Sequence, residues 1–136
     1  MTNYGKIDIL WYDGAYPAPM DGAETNRMVR EWQPDILINE RNGDGYDFRN
    51  SEQTVNAKEG AWEACMTLNG NWGWHAGDPH WKTSRDVIEL LVKAAGDAGN
   101  LLINIGPKGD GSIPEESVQT LREVGAWLER NRAFLP

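Results

Sequence analysis

The sequence predicts an α/β fold built on a parallel sheet, and three observations carry that prediction. Apolar runs of strand length alternate with segments of helical periodicity. The runs are apolar throughout rather than at every second residue, the mark of strands covered on both faces. Asp-Gly, Pro and Gly-rich breaks fall between the segments, where the chain has to turn. About four strands and three to four helices make half of an eight-fold β/α barrel, and a small open α/β sheet satisfies the same pattern. With 136 residues, the chain is long enough for one cored domain and too short for a complete barrel of about 250 residues.

The first strand is read at residues 7–12, β-branched and aromatic, ended by Asp13-Gly14. A Pro-rich loop through Pro17 and Pro19 follows. Asp21, with Glu24 three residues on, opens a helix in the manner of a capping box; Met28, Val29 and Trp32 give it an apolar side and Pro34 stops it. Residues 35–39 read as a second, fully buried strand. Residues 41–60 are polar, contain Gly43, Gly45 and Gly60, and show neither period, which predicts a long loop of functional type.

Residues 62–68 form the third strand, and a Gly- and Trp-rich loop runs over 69–82. Thr83 or Ser84 caps a second helix with Val87, Ile88, Leu91 and Ala95 on one side; Gly96 and Gly99 mark its end. Residues 101–105 are the fourth buried strand. Residues 106–111 turn the chain and lack the Gly-Lys-Ser/Thr ending of a phosphate loop. Pro114 then stands in the first turn of a last helix striped by Val118, Leu121, Val124 and Leu128. No repeat or linker divides the chain, so a single domain over 1–136 is expected.

Composition narrows the partners. A net charge of −8 disfavours nucleic acid and anionic membranes, both of which need a basic surface. One cysteine, Cys65, allows neither an intrachain disulfide nor a cysteine-based zinc site. His75 and His80 are the only histidines, without metal-pair spacing or an obvious third ligand, so no metal or other cofactor is expected. No run of about 18 apolar residues or signal-type amino terminus is present, which predicts a cytoplasmic protein.

In parallel β/α folds, reactive groups gather where strands end. Asp13 directly follows an apolar strand, Gly14 lets the backbone turn away, and Trp11 points to the same side as Asp13. On position alone, Asp13 is equally a turn-forming or helix-capping residue. Trp62, Trp72, Trp74 and Trp81 crowd one segment, and tryptophan covers the apolar face of a sugar ring while its indole N–H bonds a hydroxyl. Trp62 reads as core; Trp72 and Trp74, with Trp11 and the adjacent His75, are the candidates for lining a sugar pocket.

Four blocks, in order, carry a resemblance: residues 4–14 around Trp11-Tyr12-Asp13-Gly14, residues 33–39, residues 62–74 around Trp62-Glu63 and Trp72-Gly73-Trp74, and residues 99–107 followed by Asp110-Gly111. Over nearly the whole chain they resemble the carboxyl-terminal half of the catalytic TIM-type barrel of family 29 α-L-fucosidases. The resemblance implies a retaining exo-glycosidase acting on terminal α-linked L-fucose of an oligosaccharide or glycoside. Asp13 would attack the anomeric carbon and form a covalent glycosyl-enzyme. A second carboxyl about 5–5.5 Å away would protonate the leaving oxygen and then activate water.

Glu63 matches the acid/base position of some family members, although it stands near the start of its strand; Asp78 matches that of others, and Glu40 and Glu59 are more remote choices. The family's amino-terminal half-barrel, with its fucose-binding histidines, has no counterpart here, nor is a β-sandwich domain read. Met66 stands where some members have a sugar-contacting arginine. A half-barrel exposes sheet edges and an apolar interior, which predicts a homo-oligomer that completes the barrel. The alternative is an inactive carbohydrate-binding or structural piece.

Overall fold

The computed structural model describes residues 1–14 and 21–134; the loop expected through Pro17 and Pro19 lies outside them. The fold is α/β with parallel strands and three α-helices. In chain order they are β1 (Ile9–Leu10), α1 (Gly22–Trp32), β2 (Leu37–Ile38), a 3-10 turn (Glu40–Asn42), β3 (Arg49–Glu52), β4 (Trp62–Thr67), α2 (Ser84–Gly96), β5 (Asn100–Asn104), α3 (Glu115–Asn131) and a closing 3-10 turn (Arg132–Phe134). The chain forms two compact units, Met1–Asn50 with Lys58–Trp62, and Ser51–Ala57 with Glu63–Pro136.

In the first unit, β1 and β2 pair in parallel with Ile9 opposite Leu37 and Leu10 opposite Ile38. Asn39 then bridges Phe48 in parallel, so β3, which Phe48 leads into, starts out along the direction of β2. Asp21 caps α1 by accepting the Glu24 N–H at 3.0 Å. The return arm of a capping box is absent, because the Glu24 carboxylate pairs with Arg27 instead. Val29, Ile36 and Ile38 form the core, with Met1, Ile7, Leu10 and Tyr12 packed on it; burying each such aliphatic chain contributes about 1.5–3 kcal/mol.

Several expectations are corrected in this unit. The first strand pairs over only two residues, not 7–12. The second strand is buried on one face only: Ile36 and Ile38 are covered, whereas Ile9 and Leu37, opposite each other on the other face, are exposed. Of the apolar side expected for α1, only Val29 is buried; Met28 and Trp32 face solvent, and the second buried position is Asn26. The expected structureless loop over 41–60 contains the 3-10 turn's end and β3, making five strands instead of four.

In the second unit, β4 and β5 pair in parallel from Glu63 opposite Asn100 to Thr67 opposite Asn104. Leu68, Val87 and Val124 make the core, joined by Trp81, Ile88, Ile103, Ile105, Leu121 and Leu128. Thr83 caps α2 in a reciprocal capping box with Asp86. Its hydrogen bonds hold the Asp86 carboxyl below the ordinary range. At the other end of α2, Ala98 takes φ of 55°, the left-handed position that glycine was expected to fill. The last strand is 100–104 and is not buried on both faces, since Leu102 is 46% exposed. Pro114 precedes α3 as its N-cap rather than standing inside the first turn.

Candidate functional site

β1 ends at Leu10, and the next three residues, Trp11, Tyr12 and Asp13, follow outside the strand. Asn39 supplies partners to Tyr12. Its side-chain Oδ1 accepts the Tyr12 N–H at 2.7 Å, and its Nδ2 donates to the Tyr12 carbonyl at 2.9 Å. Nδ2 also donates to Asn50 Oδ1 at 2.8 Å, and the Asn50 N–H donates to Glu40 Oε1 at 2.9 Å. Asn39 is 0% exposed and Asn50 8%. The amide therefore lies in a buried network, where each bond is made in low dielectric and a missing partner is costly.

Asp13 itself projects into solvent, its side chain 80% exposed. Arg41 donates to its Oδ1 at 2.8 Å. The Arg41 guanidinium is only 17% exposed and lies over the Trp11 ring, 4.7 Å from the centroid, a cation–π arrangement that restrains the cation as well as attracting it. Trp11 thus supports the group that grips Asp13. Asp13, Arg41 and the Asn39 amide form one constellation within the first unit. Tyr12, between Trp11 and Asp13, packs on the core, and burial raises its phenol pKa.

The second unit holds the other sequence-derived candidates. Trp72, Trp74 and His75 are exposed on the 69–82 loop, which follows the carboxyl end of β4. Two features shape that loop. Asn104, at the end of β5, donates Nδ2 to the Trp72 carbonyl at 2.6 Å. Asp78 is buried, and its Oδ2 accepts from Asn69 Nδ2 (3.2 Å), Gly70 N–H (2.9 Å) and Asn71 Nδ2 (2.7 Å), while Oδ1 accepts the His80 N–H (3.0 Å). The His80 and Asn71 bonds, helped by Gly70, hold the Asp78 carboxyl below the ordinary aspartate range against the opposing effect of burial. Such a carboxylate is a structural knot; a general acid needs the opposite shift.

Glu63 is the second residue of β4 and is half-buried at the amino end of the strand, opposite Asn100, the first residue of β5. The carboxyl ends carry a group that sequence reading missed: Glu52, exposed, is the last residue of β3. It is followed by Gln53 with φ of 53°, a conformation uncommon outside glycine and enriched where the surroundings impose it. Gln53 is held there by its N–H to the Cys65 carbonyl at 2.9 Å and by side-chain bonds to Thr67. Arg41, Asn39 and Asn50 were missed as well. Their one signal is position, since Asn39 and Arg41 follow the carboxyl end of β2. Among the described residues, no three His, Cys, Asp or Glu side chains converge as a metal site.

Comparison with known proteins shows which family the chain resembles. The α-L-fucosidase family profile matches residues 1–133. The plasma α-L-fucosidase of Homo sapiens is 40% identical over 149 aligned residues, covering 96% of this chain and 32% of the relative. The structure of α-L-fucosidase isoenzyme 1 from Paenibacillus thiaminolyticus superposes with a TM-score of 0.90 at 38% identity, covering 97% of this chain and 37% of that one. An α-L-fucosidase solved in complex with Fuca(1,6)GlcNAc gives a TM-score of 0.83 at 29% identity, over 96% of this chain and 42% of that one. The chain spans about a third of the length of the curated relatives it matches. It belongs to the α-L-fucosidase family.

Proposed function

We propose that the chain carries the nucleophile segment of a retaining exo-α-L-fucosidase that releases terminal α-linked L-fucose from fucosylated glycans. The observation that carries this reading is Asp13, just past the carboxyl end of a parallel strand. Its peptide is fixed by a buried amide and its carboxylate is oriented by Arg41. Nucleophilic catalysis needs a carboxylate that is exposed to substrate yet held in direction. Asp13 attacks the anomeric carbon as the leaving oxygen takes a proton from the acid. The same group, now a base, removes a proton from the water that releases fucose and restores Asp13.

For the acid/base, sequence matching assigns Glu63, whereas strand polarity favours Glu52. Asp78 is disfavoured by the bonds that keep it ionised. Trp72, Trp74 and His75 supply part of the sugar-binding surface, and Trp11 acts through Arg41. The five strands are read as part of a β/α barrel whose remainder comes from outside this segment, with a second copy as the proposed source. The exposed Ile9–Leu37 pair supports that reading, since an apolar cross-strand pair on a sheet face calls for a covering layer. Light scattering that finds a well-folded monomer would remove the self-association.

Hydrolysis of a chromogenic α-L-fucoside tests the chemistry. Asp13→Ala is expected to lose activity by about a thousand-fold or more and to recover part of it with azide as external nucleophile; unchanged turnover would remove Asp13 from the mechanism. Loss of the acid harms substrates with poor leaving groups far more than activated aryl fucosides. Glu52→Ala and Glu63→Ala are to be ranked by that ratio. A catalytically silent carbohydrate-binding piece is the second reading, favoured by the exposed Trp72 and Trp74 in a chain one third the length of its relatives.

A further inference from the structure

We propose that Asn39 is a positioning residue for the reaction, acting on Asp13 through the peptide bond that precedes it. The inference rests on Asp13 being the nucleophile. The ladder between β1 and β2 stops at Leu10 and Ile38 because the chain turns after Asn39 into the 3-10 segment. Tyr12, two residues beyond the ladder, takes backbone partners from the Asn39 side chain. The Asn39 side chain presents to Tyr12 the same donor and acceptor that a neighbouring strand would. Its bond to the Tyr12 carbonyl is made to the peptide unit that ends at the Asp13 nitrogen, so it sets the plane from which the Asp13 side chain departs.

The amide has one orientation. Its acceptor is taken by Tyr12 N–H, and its two donors are taken by Tyr12 and Asn50. Reversing it would set Oδ1 against two carbonyl-type oxygens. Two residues further on, Arg41 holds the Asp13 carboxylate. Backbone and side chain of Asp13 are thus fixed from one short segment.

The test compares Asn39→Ala and Asn39→Asp with Ser117→Ala. Ser117 is equally buried, at 0% exposure, and its hydroxyl donates to the Ile105 carbonyl rather than to residues 11–14 or the 3-10 turn. In Asn39→Ala, hydrogen-exchange protection of the Tyr12 amide is expected to fall about ten-fold or more. On a chromogenic α-L-fucoside, kcat falls about 10- to 100-fold, as misplacement of a reacting group does, with KM within about two-fold. Asn39→Asp keeps the acceptor for the Tyr12 N–H but sets a buried carboxylate oxygen against the Tyr12 carbonyl and Asn50 Oδ1, so its kcat falls at least as far as that of Asn39→Ala. Ser117→Ala loses stability but keeps both Tyr12 protection and kcat. Unchanged Tyr12 protection in Asn39→Ala would overturn the clamp, and lost protection with unchanged kcat would overturn the positioning role. A wild-type chain with no fucosidase activity would strike the assignment of Asp13, while the exchange measurement still reads the clamp.

Discussion

The segment around Asp13 and the 69–82 loop are both irregular backbone beyond the carboxyl ends of strands, and they are held in opposite ways. Asp13 depends on residues distant in sequence: Asn39 is 26 or 27 residues away from the groups it serves, and Arg41 is 28 away. The Trp-bearing loop is tied largely to itself, through one buried Asp78 that gathers donors seven to nine residues before it and one two residues after it. A group that must keep one direction is braced by other elements of the fold. A loop that presents aromatic surface can be closed by its own sequence and retain local freedom.

Four measurements test that contrast. The largest effect is expected from Gly22→Ala. A Cβ there would lie 1.7 Å from the backbone carbonyl oxygen of Asn42, and no rotation relieves a clash with backbone. The 3-10 turn that carries Arg41 must move, so stability should fall by about 3 kcal/mol in urea unfolding, with the proposed fucosidase activity reduced beyond what the loss of folded protein explains. An unaltered Gly22→Ala would mean that the brace on Asp13 tolerates displacement.

Next is Asp78→Ala, which leaves the Asn69, Gly70, Asn71 and His80 donors without their common acceptor. Proteolytic cleavage within 69–82 should accelerate while the Tyr12 amide keeps its exchange protection, and the loss of stability should be smaller than for Gly22→Ala. If Tyr12 protection falls too, the two regions are coupled and the contrast fails.

A gentler version uses pH. Because the folded Asp78 carboxyl is depressed below its unfolded value, the unfolded chain binds the proton first. The stability it contributes is whole above the ordinary value of 3.8 and is lost as the pH falls from there through the folded value. Tryptophan emission in the wild type should therefore shift in acid below that range, and Asp78→Asn should lack the step. The smallest effect is expected from Thr83→Ala, which removes the cap of α2 outside both regions. It should cost about 1 kcal/mol and leave both sites unchanged.

The helix caps and most of the α3 stripe were legible in the sequence because their signals are local: Asp21 and Thr83 do cap α1 and α2, and Leu121, Val124 and Leu128 of α3 do pack inward. β3 was not legible. Arg49-Asn50-Ser51-Glu52 contains no apolar residue, and Asn50 and Ser51 are buried by virtue of hydrogen bonds rather than hydrophobicity. The strands were read as covered on both faces, but Ile9, Leu37 and Leu102 stand exposed; apolar composition records the face a strand can bury, not whether a layer is present to bury it. Asp13 was visible as a strand-end carboxylate. Arg41 and Asn39 were not, since only the parallel pairing of β1 with β2 brings residues so far apart in sequence together, and Glu52 becomes a strand-end group only once β3 is known.

Asn39, Glu40 and Arg41 are consecutive, and all three belong to the network that fixes Asp13. The setting of the proposed nucleophile is therefore written in one tripeptide. Exchanging that tripeptide as a cassette offers a way to retune the aim of Asp13 without altering residues 11–14 themselves, and a one-residue insertion between Asn39 and Arg41 would unhitch the hold on its backbone from the hold on its carboxylate.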